Sequence, residues 1–164
     1  MHPLTDLVKF YHSSVGANGH LEIDLAVDRT GNVDPTHAAA YKQFGDWIRA
    51  CYGSPVATGS LPAGATSFTL ALPGGAGGSV VDRVALSEDQ TSGQLIISYT
   101  VEALPAGGSA WVPFSGGVSV GSKRIDVAAG GPVAATALRF SITADWGQSP
   151  GVTMAAFAPD GCKV

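Results

Sequence analysis

HLEIDLAVD, running from His20 to Asp28 and followed by Arg29-Thr30-Gly31, alternates side-chain type almost residue by residue. In an extended strand, that alternation sets Leu21, Ile23, Leu25 and Val27 on one face and His20, Glu22, Asp24 and Ala26 on the other. The first face needs cover. The second is a wet surface, a partner surface or a site, and the choice governs how the chain is read.

Both flanks of this stretch read as helix. Upstream, Leu4, Leu7, Val8 and Tyr11 recur at helical spacing; Thr5 is placed to cap the start, and Gly16 with Asn18-Gly19 ends the turn into the strand. Downstream, Asp34 is the expected cap, and Pro35 sits in the first turn, where its missing N–H costs nothing. Tyr41, Phe44, Ile48 and Cys51 then form one apolar stripe, until Gly53-Ser54-Pro55 stops the helix. Residues 1–55 therefore predict an α-β-α segment.

From Val56 onward the texture changes to short apolar runs divided by Gly/Pro clusters such as Pro73-Gly74-Gly75, Pro105-Ala106-Gly107-Gly108 and Gly130-Gly131-Pro132. Strands are expected over Ser67–Leu72, Val80–Ser87, Gln94–Ala103, Ala110–Ser115, Lys123–Val127, Ala137–Ala144 and Val152–Ala158. Seven or so strands at that spacing predict an antiparallel β-sandwich over residues 56–164, so the chain reads as mainly β.

Composition narrows the function classes. The chain has 164 residues, 45% of them hydrophobic and 13% charged, with 22 Gly and 10 Pro: enough to bury a core and too apolar for a disordered chain. A net charge of −4, with no basic cluster beyond Lys123-Arg124, leaves no electrostatic footprint for nucleic acid or an anionic membrane surface. No run approaches the roughly 20 apolar residues of a membrane span, and the first residues lack the pattern of an export signal. Cys51 and Cys162 either form a disulfide tying the C-terminus to the second helix or are two buried thiols.

A series of short motifs carries a family resemblance. Leu7-Val8-Lys9-Phe10-Tyr11, Ser14-Val15-Gly16-Ala17-Asn18-Gly19, the strand, Thr30-Gly31 and the helix through Phe44 and Trp47 resemble the last β/α unit of the catalytic barrel in the α-L-fucosidases of glycoside hydrolase family 29, plant-like type. Val81-Asp82-Arg83-Val84, Glu88-Asp89, Gly93-Gln94, Tyr99-Val101-Glu102, Trp111, Gly121-Ser122-Lys123-Arg124-Ile125 and Ala137-Leu138-Arg139-Phe140 continue it. They are similar to the galactose-binding-like, discoidin-type jelly roll that follows the barrel in such enzymes. The resemblance implies that the nucleophile and the acid/base residue lie on earlier barrel strands, so no position here takes either role. A retaining glycosidase needs two carboxylates about 5 Å apart across the sugar. The chain accordingly reads as the non-catalytic C-terminal portion of a fucosidase-like protein, in a natural short or trimmed form, and the resemblance implies a secreted or lysosomal setting.

In the family pattern the strand at 20–28 is nearly all apolar, yet here Glu22, Asp24 and Ala26 occupy the corresponding places. Parallel barrel strands are normally apolar on both faces, so the departure suits a strand that exposes one face to water. A sharper reading has His20, Glu22 and Asp24 converge on a divalent cation, although three ligands from one strand leave the shell incomplete. The apolar side packs on the sandwich or on a second copy of the chain, which makes a homo-oligomer one expectation.

For a carbohydrate ligand, fucosylated or galactosylated, an aromatic platform and polar partners are needed. Trp146, Trp111, Lys123, Arg124, Glu88 and Asp89 are the available groups. Trp111 falls on an expected strand and suits a structural role, whereas Trp146 falls in a loop and suits an exposed platform. Glu88-Asp89, read as a loop, is the place for a calcium ion of the kind discoidin-type domains hold, but no ring of further oxygen ligands accompanies it, and no cofactor is expected. A structural or oligomerisation domain without ligand, and a fragment of an active hydrolase, are the alternative functions.

Overall fold

The computed structural model describes residues 2–164. Two helices come first, α1 (Leu4–Ser13) and α2 (Pro35–Tyr52). Nine strands follow: β1 (Ala57–Leu61), β2 (Ser67–Ala71), β3 (Ser79–Val81), β4 (Arg83–Glu88), β5 (Ile96–Pro105), β6 (Val112–Val118), β7 (Arg124–Val127), β8 (Val133–Asp145) and β9 (Val152–Phe157). They form two antiparallel sheets. One has the order β1-β9-β4-β7; the other has the order β2-β8-β5-β6, with β3 pairing β8 as well.

Period-two patterning sets the sheets face to face. In β5, Tyr99, Val101 and Ala103 are buried, while Ser98, Thr100 and Glu102 alternate outward. They meet Leu61, Val84, Leu86 and Met154 of the four-stranded sheet, with Leu138 and Phe140 of β8 completing the layer. Each such side chain fully withdrawn from water contributes roughly 1.5–3 kcal/mol.

The outer face of the four-stranded sheet is covered by the helices. Leu7, Val8 and Tyr11 of α1 and Phe44, Trp47 and Cys51 of α2 share a second apolar cluster with Ile125 of β7 and Cys162. Of the two cysteine alternatives the structure selects the disulfide: Cys51 and Cys162 are joined, with Cα atoms 4.4 Å apart. Asp34 caps α2 as expected, its carboxylate accepting from the backbone N–H of Thr36 and His37. The start of α1 differs from expectation, because Pro3 is the cap residue and Thr5 lies inside the helix. After α1 the chain runs along the edge of the four-stranded sheet. Asn18 N–H donates to Lys123 O at 2.8 Å, Ile125 N–H donates to Gly16 O at 2.8 Å, and the Asn18 carboxamide oxygen accepts from Ser122 N–H at 2.7 Å. An added Cβ at Gly121, whose φ is +67°, would collide with that carboxamide, so glycine is required there.

The expected strand over 20–28 does not form. Residues 20–26 form neither helix nor strand and belong to no sheet; Val27 makes one isolated bridge to Val33, and Asp24 O accepts from the Tyr41 hydroxyl at 3.0 Å. The sequence pattern is that of a strand, but nothing lies alongside to pair with it. Leu21 and Ile23 rest half-buried on the helices, whereas Leu25 and Val27 are 50% and 61% exposed. Elsewhere the expected run over Val80–Ser87 is interrupted at Asp82 into β3 and β4, and β1 goes unannounced by its sequence, ATGSL, which has little strand character.

Candidate functional site

The best-exposed aromatic side chain is that of Trp146, just past the end of β8 and 74% exposed. Its platform is held from below. Asp145 accepts from Gly147 N–H at 2.9 Å and from the Ser149 hydroxyl at 2.8 Å, and Trp146 N–H donates to Leu95 O at 3.1 Å. The turn is thereby tied to both the preceding strand and the start of β5. Just beyond it in the chain, Gln148, Ser149, Pro150 and Gly151 line a cleft of about 120 Å³ together with Ala63, Asp89, Thr91, Ser92 and Leu95. The Asp89 carboxyl is held below the usual carboxylate range by the Thr91 backbone N–H, which donates at 3.0 Å. Carboxylate, amide and hydroxyl groups around a cleft, with an exposed indole two residues before Gln148 in the chain, are chemistry suited to a small polyhydroxylated ligand.

Other sequence candidates are engaged in the framework. Glu88 is not in a loop but is the last residue of β4, 4% exposed. Its carboxylate accepts from the backbone N–H of Leu95 (2.6 Å), Ile96 (3.0 Å) and Gly121 (3.0 Å), joining three segments. Lys123 Nζ donates to the Tyr11 hydroxyl at 3.0 Å and stands 5.6 and 5.9 Å from the Tyr11 and Tyr52 ring centres, fastening α1 to the sandwich. Arg124 Nε donates to Asp126 at 2.9 Å, and Tyr99 donates to the same carboxylate at 2.7 Å; burial first, then this bond, pushes the phenol upward. Trp111, half-buried just before β6, lies under the Arg139 guanidinium at 4.5 Å, and Arg139 in turn makes two bonds to Glu102, at 2.6 and 2.9 Å.

His20, Glu22 and Asp24 are exposed on the segment between the helices, and among the described residues no group of three His, Cys, Asp or Glu side chains is placed to hold a metal ion. Nor, among those residues, is any helix long and apolar enough to cross a membrane. His12 Nε2 meets the Tyr52 hydroxyl at 2.6 Å. Burial, and then the Arg83 charge, hold its imidazole below the ordinary histidine value. Sequence reasoning also missed the exposed Ile97 and Val118, which come to the Trp146 end of the sheet where β5 carries a bulge between Ile96 and Ser98 that spacing does not reveal.

No family model and no curated protein matches the chain. Solved structures do. A candidate α-L-fucosidase from Bacteroides thetaiotaomicron superposes with a TM-score of 0.87 at 32% identity, over 96% of this chain and 35% of that one. One from Bacteroides ovatus gives 0.81 at 27%, over 95% and 26%. A glycoside hydrolase family 29 fucosidase from Ruminococcus gnavus, solved in complex with fucose, gives 0.81 at 19%, over 96% and 37%, a likeness of fold. The chain thus spans roughly a third of the proteins it matches. Over nearly its whole length it resembles one region of a family 29 α-L-fucosidase, as the C-terminal portion of such a protein would.

Proposed function

We propose that the chain is the non-catalytic, carbohydrate-recognising C-terminal part of a fucosidase-like protein. In this reading residues 1–55 supply the last β/α unit of a barrel and residues 56–164 a galactose-binding-like jelly roll. The observation that carries it is the segment at 20–26, with a strand's alternation in its sequence, half its apolar side chains resting on α1 and α2, and no strand beside it. Such an edge is completed by pairing with another strand, and the matched proteins are about three times the length of this chain. Trp146 and the neighbouring Asp89–Gln148–Ser149 cleft are the recognition site for a neutral sugar. Glu88, Lys123 and Arg124 act as the frame that holds the loops. The fold alone decides none of this, since sandwiches of this kind serve many ligands.

Amide hydrogen exchange tests the docking. The backbone of residues 20–26 should exchange at near-random-coil rates in the separate chain and become protected on mixing with the barrel portion of a family 29 fucosidase. Unchanged exchange in the mixture would refute it.

A further inference from the structure

The two outer faces of the sandwich are treated differently. That of the four-stranded sheet lies under α1 and α2, but that of the five-stranded sheet is open. Across the open face, Thr69, Arg139 and Glu102 form one cross-strand row and Ser67, Ser141 and Thr100 the next. Toward Trp146 follows the hydroxyl pair Ser98 and Thr143, whose oxygens are 2.7 Å apart. Ile97 and Val118, 37% and 70% exposed, are joined at this end by the Ser119 N–H bond to Ile97 O. The face therefore has two tryptophans along it: Trp146 beyond the tip of β8, and Trp111 stacked on Arg139 in its middle. Six residues of β8 lie between Arg139 and Trp146, and the seven steps correspond to about 23 Å along a strand.

We propose that this face is a binding surface for a neutral, linear oligosaccharide, with one end of the chain of sugars on Trp146 and the other against Trp111, Arg139 and Glu102. The proposal rests on the carbohydrate-recognition reading and extends it from a terminal sugar to a run of several. Charge decides the class of ligand. β2, β3, β5, β6 and β8 contain three charged residues, Glu102, Arg139 and Asp145. Arg139 and Glu102 neutralise one another, and Asp145 is occupied by its own turn. An anionic or cationic ligand finds no unpaired opposite charge here. A protein partner would need a larger apolar centre than Ile97, Val118 and Trp146 provide. Rows of hydroxyls, with a rigid guanidinium–carboxylate pair offering both donors and acceptors and two indole rings, one beyond the tip of β8 and one at its middle, instead match a ligand whose surface alternates hydroxyl groups with C–H faces.

Titration of the isotopically labelled chain with fucose, a fucosylated trisaccharide and a fucosylated hexasaccharide tests this. The hexasaccharide should bind about tenfold or more tightly than the trisaccharide and move the amides of Thr100, Glu102 and Ser141 together with the Trp146 and Trp111 indole N–H signals. Trp111→Ala should remove that length advantage while leaving trisaccharide binding at Trp146 intact. Thr100→Ala, on the open face away from the core, should weaken the hexasaccharide alone and guards against a folding defect in the tryptophan variant. Equal affinities, with shifts confined to Trp146 and residues 148–151, would overturn the extended surface and spare the terminal recognition site. Silence with all three sugars would overturn the recognition reading itself.

Discussion

At the scale of single residues, the polar groups that look most available in the sequence are the ones the fold consumes. Glu88 gives its two carboxylate oxygens to three backbone N–H groups. Glu88→Gln puts an NH₂ where one of those donors points, and should cost about 2 kcal/mol in chemical unfolding without altering sugar affinity. His12 has its pKa lowered by burial, and then by Arg83, so the unfolded chain binds a proton more readily than the folded one. Its contribution is fully present above the unfolded value of about 6.5 and is lost as the pH falls from there toward the lowered folded value. Thermal scans across that window should show acid destabilisation that His12→Gln reduces; an unchanged pH slope would contradict this. Trp146 was legible because it sits in a polar Gly-containing stretch where no core is near. The role of Glu88 was not, since its donors come from segments 7, 8 and 33 residues away that only the folded sandwich brings together.

At the scale of elements, α2 was the best-signalled piece, with its Asp34 cap, Pro35 and buried Phe44, and most strands of the sandwich fall where alternation puts them. The 20–28 stretch shows why pattern alone is insufficient. Alternation specifies which side chains want cover, but a strand exists only where a neighbour supplies hydrogen bonds. Two substitutions separate these contributions. Leu25→Ser, at a half-exposed site, should change the stability of the chain by no more than about 0.5 kcal/mol. Phe44→Ala, at a site 7% exposed between the helices, should cost about 3–5 kcal/mol. Equal losses for the two in a denaturant titration would mean that the segment at 20–26 is packed as tightly as α2. Bulges in β5 likewise escaped the sequence reading, because they shift register by one residue without changing composition; the one between Ile96 and Ser98 coincides with the exposure of Ile97.

At the scale of the whole molecule, helices and sandwich are bound to each other by the apolar cluster around Ile125 and by the Cys51–Cys162 disulfide, which closes a separation of 111 residues. Removing that cross-link with Cys51→Ser and Cys162→Ser together should lower stability by about 2–4 kcal/mol and abolish the difference between oxidised and reduced protein. Recognition of the family depended on the order of many short motifs, and the superposition over 96% of the chain agrees with it. The chain spans about a third of the length of the matched proteins. The most direct measurement on the central claim follows an aryl α-L-fucoside and a fucosylated oligosaccharide with the same purified chain. The account predicts no release of the aryl alcohol, together with a saturable shift of the Trp146 indole N–H on adding the oligosaccharide. Fucoside turnover by this chain, or an indole signal that never moves, would contradict it.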